Sequence, residues 1–105
     1  MSEVILNESN FEEEVLKAEK SVLVDFFATW CGPCQMLSPV IEELAKKHND
    51  KIKVGKLNVD DAQMLAVKYG VLSIPTLIVF KDGEVQKTVV GFHSLEELEK
   101  EFGLV

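Results

Sequence analysis

Two cysteines separated by two residues are the side chains of this sequence best suited to chemistry. Cys31 and Cys34 are its only cysteines, and three positions apart at a helix start they lie about one turn from each other on one face. That separation permits a disulfide bond that opens and closes with little movement of the backbone. The pair therefore predicts reversible thiol–disulfide exchange.

Pro33, one of the two residues between the cysteines, bears on the acidity of the Cys31 thiol. Pro33 indicates that a helix begins beside Cys31, because proline is favoured in the first helical turn. The unpaired N–H groups and the positive end of the helix dipole at that point favour a thiolate. A thiol whose pKa falls from about 8.5 to about 7 gains roughly 16-fold in thiolate at pH 7 but loses roughly fivefold in nucleophilicity. We infer that a low pKa matters as much when Cys31 is the leaving group as when it attacks.

A zinc site and a static disulfide are the alternative roles for the cysteine pair. Zinc needs two further ligands, and the two histidines, His48 and His93, do not stand at metal-finger spacing. A structural disulfide is uncommon in a reducing compartment. We therefore expect no metal site and a redox role for the pair.

The composition predicts a small cytoplasmic protein. Its 105 residues fit a single domain over 1–105, and 11 Lys plus Arg against 18 Asp plus Glu give a net charge of -7 that repels phosphate backbones. No apolar run approaches the ~20 residues of a membrane span, and the first residues do not resemble a signal or transit peptide. We expect a monomer that binds neither nucleic acid nor membrane.

The elements before the cysteines follow from hydrophobic patterning. A short strand is predicted over 4–6, and Ser9 followed by Glu12 forms a capping-box pattern that opens a helix ending near Lys20. The segment 22–28 is apolar at nearly every position, which is typical of a central strand covered on both faces.

Beyond the cysteines the pattern continues as helix, strand and helix. A long helix is predicted to reach about Asn49 and to kink at Pro39, where a carbonyl group loses its partner. A strand is predicted over 52–59. An aspartate at 60 or 61 then caps a third helix, which Gly70 is placed to end.

The last elements are a hairpin and a helix. Strands over 76–81 and 84–90 flank an Asp-Gly turn at 82–83, and Ser94 with Glu97 caps the final helix. The order βαβαβαββα predicts an α/β fold whose sheet is parallel at first and antiparallel at its hairpin edge, with helices on both faces.

The cysteine motif also carries a family resemblance. The run Trp30-Cys31-Gly32-Pro33-Cys34, after an apolar strand and opening a helix, resembles the active site of thioredoxins. The resemblance extends over nearly the whole chain and implies the thioredoxin fold, a mixed five-stranded sheet flanked by four helices. Its other matching segments are Asp25-Phe26, Pro39, Lys56, Ile74-Pro75-Thr76, Phe80-Lys81-Asp82-Gly83 and Gly91.

The resemblance implies a role for each cysteine. Cys31 would attack a disulfide of a substrate protein and form a mixed disulfide, which Cys34 would resolve. A thioredoxin reductase drawing on NADPH would recycle the oxidised pair, so no cofactor need bind this chain. Gly32-Pro33 between the cysteines favours a reductant over an oxidase or isomerase. The alternative from another class is a binding module in which the thiols are incidental.

Asp25 is the charged residue of the apolar strand. Burial of an ionised carboxylate costs free energy, so the pKa of the Asp25 carboxyl should be raised. The resemblance implies that Asp25 deprotonates Cys34 through water and that Lys56 tempers its charge. The alternative is that Asp25 satisfies backbone groups at a strand irregularity.

A contact surface is expected beside the cysteines. An aromatic residue before Gly-Pro at a helix start is typical of a partly exposed platform. At Ile74-Pro75 the sequence alone predicts a trans peptide bond, whereas the resemblance implies a cis bond facing the cysteines, preceded by backbone that pairs with substrate as an added strand. The expected apolar patch comprises Trp30, Gly32, Pro33, Val71, Ile74, Pro75, Val90 and Gly91.

Two residues depart from the family pattern. Phe27 stands where many thioredoxins have a second tryptophan, and Gln35 stands where lysine or arginine is common. Loss of that positive charge predicts weaker stabilisation of the thiolate and weaker docking of the reductase. His93, near Gly91, is a candidate pH-sensitive contact.

Overall fold

The computed structural model describes residues 3–105, and within that range the chain forms five strands and four helices. Met1 and Ser2, which belong to the expected domain, lie outside this range. The strand bounds lie within one residue of those predicted. The strands are β1 Glu3–Leu6, β2 Ser21–Phe27, β3 Ile52–Asn58, β4 Thr76–Lys81 and β5 Glu84–Val90. The helices are α1 Glu12–Leu16, α2 Gly32–Lys47, α3 Gln63–Lys68 and α4 Leu95–Glu101.

The strands form one mixed sheet in the order β1-β3-β2-β4-β5. β3 pairs in parallel with both β1 and β2, whereas β4 pairs antiparallel with β2 and β5. Parallel neighbours need a crossover connection, which helices supply between β1, β2 and β3, whereas the antiparallel β4 and β5 are joined by a tight turn. The predicted α/β thioredoxin fold is confirmed, with β2 at the centre of the sheet.

Apolar side chains cover both faces of the sheet, as the apolar run in β2 predicts. On one face Leu23 and Val54 pack with Leu37 and Ile41 of α2 and with residues of α4. Val22, Val24 and Phe26 project to the other face, where they join Phe11, Val15 and Phe80. Asp25 follows Leu23 by two residues and therefore faces α2.

The predicted start of the first helix is wrong. Ser9 does not cap it: Asn7 Oδ1 accepts hydrogen bonds from the backbone N–H groups of Ser9 and Asn10, each at 2.9 Å. Asparagine competes well for such groups because its short side chain reaches the backbone two or three residues on. The helix that follows has π-type hydrogen bonding, covers only Glu12–Leu16 and ends before Lys20.

The cap predicted for the third helix is also wrong. No aspartate at 60 or 61 caps α3, which begins at Gln63 after Ala62. Glu8 Oε2 instead accepts a hydrogen bond from the N–H of Met64 at 3.1 Å. A side chain far away in the sequence thus satisfies the helix terminus.

Three other local predictions are confirmed. Gly70 follows α3 with φ of +68°, the left-handed conformation that ends helices. Asp82 and Gly83 turn the hairpin with φ of +53° and +79°. Ser94 and Glu97 form a reciprocal capping box at the start of α4. None of the helices within residues 3–105 is long and apolar enough to cross a membrane.

Candidate active site

The two cysteines lie at the amino-terminal end of α2 and are joined by a disulfide bond. Their Cα atoms are 5.2 Å apart. Cys31 is the N-cap residue of α2, and its Sγ accepts a hydrogen bond from the backbone N–H of Cys34 at 3.2 Å. Gly32 and Pro33 fill the first turn, where the missing N–H of proline costs no helical hydrogen bond.

The N-cap position gives Cys31 an electrostatic advantage. Its sulfur occupies the place where an oxygen of serine or aspartate commonly accepts from the third helical N–H. Negative charge there interacts favourably with that N–H group and with the helix dipole. Cys31 is therefore the sulfur of the pair better suited to leave and to attack as a thiolate.

Exposed residues surround a nearly enclosed pair of sulfurs. Cys31 and Cys34 are each only 5% exposed, whereas Trp30 is 69% exposed. The indole N–H of Trp30 donates to Asp60 Oδ2 at 2.9 Å, which fixes the ring beside the pair. An approaching sulfur must therefore follow a restricted path next to this indole.

The segment before β4 forms the opposite side of the site. The Ile74–Pro75 peptide bond is cis, as the resemblance implied, and Cys31 Sγ lies 3.8 Å from the carbonyl oxygen of Ile74. The N–H of Gly91 donates to the carbonyl of Pro75 at 2.8 Å. Val90 pairs with the first residue of β4 and is half exposed.

An open cavity of about 380 Å³ extends from this site toward α3. Three residues of the predicted patch, Trp30, Val71 and Ile74, line it. The sequence interpretation missed Val67 and Leu72, which also line it and are 80% and 97% exposed. The sequence signal that could have identified Val67 is an apolar residue on the outer face of the short helix α3.

Asp25 is buried in the centre of the sheet and lies opposite Lys56 of β3. Burial raises the pKa of the Asp25 carboxyl to about 7, the positive charge of Lys56 opposes this shift, and the negative charge of Glu3 adds to it. The Oδ1 atom has no hydrogen-bond partner among residues 3–105. Asp25 lies in regular strand pairing, so the alternative role at a strand irregularity finds no support.

A second cavity lies between Cys34 and Lys56. It has a volume of about 220 Å³ and its lining includes Cys34, Ser38 and Lys56. Lys56 Nζ donates to Ser38 Oγ at 3.2 Å and lies 4.7 Å from the centre of the Phe27 ring. The space is large enough for several water molecules. Ser38 and Phe27 were not among the predicted site residues.

Other polar side chains predicted near the site have local partners. Gln35 Nε2 donates to the carbonyl of Thr29 at 2.9 Å, which ties the helix start to the preceding loop. His93 Nε2 lies 3.2 Å from the carbonyl oxygen of Val90. His48 belongs elsewhere, at the end of α2, where it is buried beside Glu99.

Comparison with known proteins places this geometry in a family. A family model described as Thioredoxin matches residues 2–102. The chain is 52% identical to a protein named Thioredoxin from Pseudomonas aeruginosa over 100 residues, which cover 93% of each chain. It is 50% identical to the Thioredoxin of Rickettsia bellii over 93 residues, 89% of each chain. It is 48% identical to that of Alicyclobacillus acidocaldarius over 94 residues, 90% of this chain and 89% of the other.

Proposed function

The chain belongs to the thioredoxin family, and from that premise we propose how its residues divide the work of reducing a protein disulfide. The protein is a dithiol–disulfide oxidoreductase, a protein-disulfide reductase whose redox-active pair is Cys31 and Cys34. The observation that carries the division of roles is the position of Cys31 as the N-cap of α2, where its sulfur accepts the N–H of Cys34.

Cys31 acts first. Its thiolate attacks one sulfur of a substrate disulfide, the substrate S–S bond breaks, and a bond forms between Cys31 Sγ and the substrate. The departing substrate sulfur takes a proton. In this step the N–H group and dipole at the helix start stabilise the attacking thiolate.

Cys34 then resolves the mixed disulfide. Its thiol loses a proton, its sulfur attacks Cys31 Sγ, and the substrate leaves as its second thiol while the internal disulfide forms. We assign Asp25 as the acceptor of this proton through water, because Asp25 lies opposite Lys56, which lines the cavity beside Cys34. A carboxyl group whose pKa is about 7 exchanges protons readily at neutral pH. Lys56 limits how far that pKa rises.

Substrate proteins dock on the exposed surface around the pair. Trp30, Val71 and Ile74 supply apolar contact area, together with Gly32, Pro33, Pro75, Val90 and Gly91. An extended substrate segment pairs with the backbone at Ile74 as an added strand. The 3.8 Å distance between Cys31 Sγ and the Ile74 carbonyl supports this arrangement, because a strand paired there carries its sulfur to Cys31.

The partners and location follow from the same chemistry. A thioredoxin reductase using NADPH returns the disulfide form to the dithiol, and disulfide-containing proteins consume the dithiol. A thiol pair that must be reduced in order to act suits a reducing compartment such as the cytoplasm. Residues 1–105 act as one domain, which the family match over residues 2–102 supports.

Reciprocal cysteine variants test the assignment. With a disulfide-bonded acceptor protein, Cys34→Ser should accumulate a mixed disulfide at Cys31, because no resolving thiol remains. Cys31→Ser should accumulate none. Mass spectrometry after alkylation locates the adduct, and NADPH consumption with thioredoxin reductase measures turnover. An adduct that forms mainly on Cys34 of the Cys31→Ser variant would reverse the two roles.

A further inference from the structure

Two carboxyl groups from different strands share one lysine beneath α2. Asp25 of β2 lies opposite Lys56 of β3, and Ile5 of β1 lies opposite the same lysine from the other side. Glu3 precedes Ile5 by two residues, so it projects from the same face of the sheet. Lys56 also contacts Ser38 of α2, which identifies this face as the one that the helix covers.

Neither carboxyl group is fully satisfied. Glu3 Oε1 and Asp25 Oδ1 are both buried and lack a hydrogen-bond partner among residues 3–105. Each ionised carboxylate there is costly unless a positive charge offsets it. One lysine carries one positive charge, so ionisation of both carboxyl groups leaves a net negative charge under the helix.

The other charges around the two groups do not relieve this imbalance. Burial is the largest cause of the raised pKa of Glu3, the positive charge of Lys56 opposes it, and Glu42 of α2 adds to it. Glu42 itself forms an ion pair with Lys46 at 3.3 Å, so this lysine does not offset the charges of Glu3 and Asp25. Cys34 is the titratable side chain of α2 beside Lys56. From β4, the residue opposite Asp25 is Leu77, which carries no charge.

We propose that Glu3 is a positioning residue for proton transfer at Asp25, because its negative charge opposes the stabilisation that Lys56 gives to the Asp25 carboxylate. The proposal rests on the proposed role of Asp25 as the proton acceptor of Cys34. Glu3 lines neither of the two cavities beside the cysteines and acts through the charge balance across β1, β3 and β2. The protons of the two carboxyl groups are therefore coupled, and loss of one discourages loss of the other.

Replacement of Glu3 by an isosteric neutral residue tests the proposal. The Glu3→Gln variant should lower the titration midpoint of Asp25 by about 0.5 to 1 pH unit, the effect of one charge acting across the intervening strand β3. Carbon-13 NMR of the Asp25 carboxyl in the disulfide form measures this midpoint without interference from titrating thiols. The pH profile of turnover should move in the same direction.

Two further variants separate charge from structure. Glu84→Gln is the matched control, since Glu84 also begins an edge strand but lies at the opposite edge of the sheet, and it should leave the midpoint unchanged. Glu3→Asp keeps the charge and should return the midpoint most of the way to its original value. An unchanged midpoint in Glu3→Gln overturns the proposal, and so does a shift that Glu3→Asp does not reverse.

The role of Asp25 has its own control. If Asp25→Asn leaves the pH profile of turnover unchanged, the proposed proton transfer fails, whatever Glu3 does to the midpoint. If Asp25→Asn removes the pH dependence while Glu3→Gln shifts neither midpoint nor profile, the Glu3 proposal alone is overturned.

Discussion

Replacing Asp25 with asparagine removes a charge from the interior of the sheet while keeping the shape of the side chain. Burial raises the pKa of the Asp25 carboxyl to about 7, from an ordinary value of 3.8. Between these values the unfolded chain has lost the proton that the folded chain keeps. The folded state binds more protons, so the free energy of unfolding falls as the pH rises through this interval.

The width of the interval sets the size of the effect. About three pH units at 1.36 kcal/mol per unit correspond to about 4 kcal/mol of stability lost between about pH 4 and pH 7. Asp25 is only 2% exposed, so water screens little of this cost. The gain in stability of Asp25→Asn should therefore grow from near zero below about pH 4 to about 4 kcal/mol above pH 7.

Urea unfolding of the disulfide form, repeated between about pH 4 and pH 8, measures this difference. Asp61→Asn is the matched control, because Asp61 is exposed and loses the same charge without changing a buried group. Stability curves of the original protein and Asp25→Asn that run parallel across this range would refute the reasoning. At neutral pH the variant should keep its fold yet resolve the Cys31 mixed disulfide more slowly.

Two further variants test the contact surface and the end of α2. Trp30→Ala should raise KM for disulfide-bonded proteins with little change in kcat, because the exposed indole belongs to the proposed docking surface; steady-state turnover measures both, and a fall in kcat alone would contradict this. Hydrogen bonds from Lys47 and His48 lower the pKa of Glu99 below its ordinary 4.5, so its contribution to stability is present above that pH and is lost as the pH falls through the lowered value. In urea unfolding, Glu99→Gln should therefore be less stable than the original protein at neutral pH and should lose less stability as the pH falls. An equal loss of stability on acidification in both proteins would contradict the stabilising contacts of Glu99 with Lys47 and His48.

The features best predicted from the sequence are those that neighbouring residues determine. The hairpin strands match their predicted bounds because the turn at 82–83 requires two left-handed residues, and Asp-Gly adopts that conformation readily. The capping box of Ser94 and Glu97 is likewise closed by residues three positions apart. The start of α2 at Gly32, directly after Cys31, also follows from adjacent residues.

The features that failed or were missed depend on contacts between distant segments. Glu8 satisfies the start of α3 across 56 positions of sequence, and His48 meets Glu99 across 51. Neither contact leaves a periodic or spacing signal in the sequence. The first helix is the exception, since Asn7 and Ser9 are both good capping residues two positions apart, and it is Asn7 that accepts the backbone N–H groups.

The same division applies to the chemistry of the cysteine pair. The sulfur chemistry is local, because a helix start and two intervening residues place both sulfurs, and the sequence alone predicts it. The proton chemistry is not local, because Glu3, Asp25 and Lys56 meet only through the register of three strands. Two proteins with the same cysteine motif can therefore differ in the pH at which Cys34 becomes reactive.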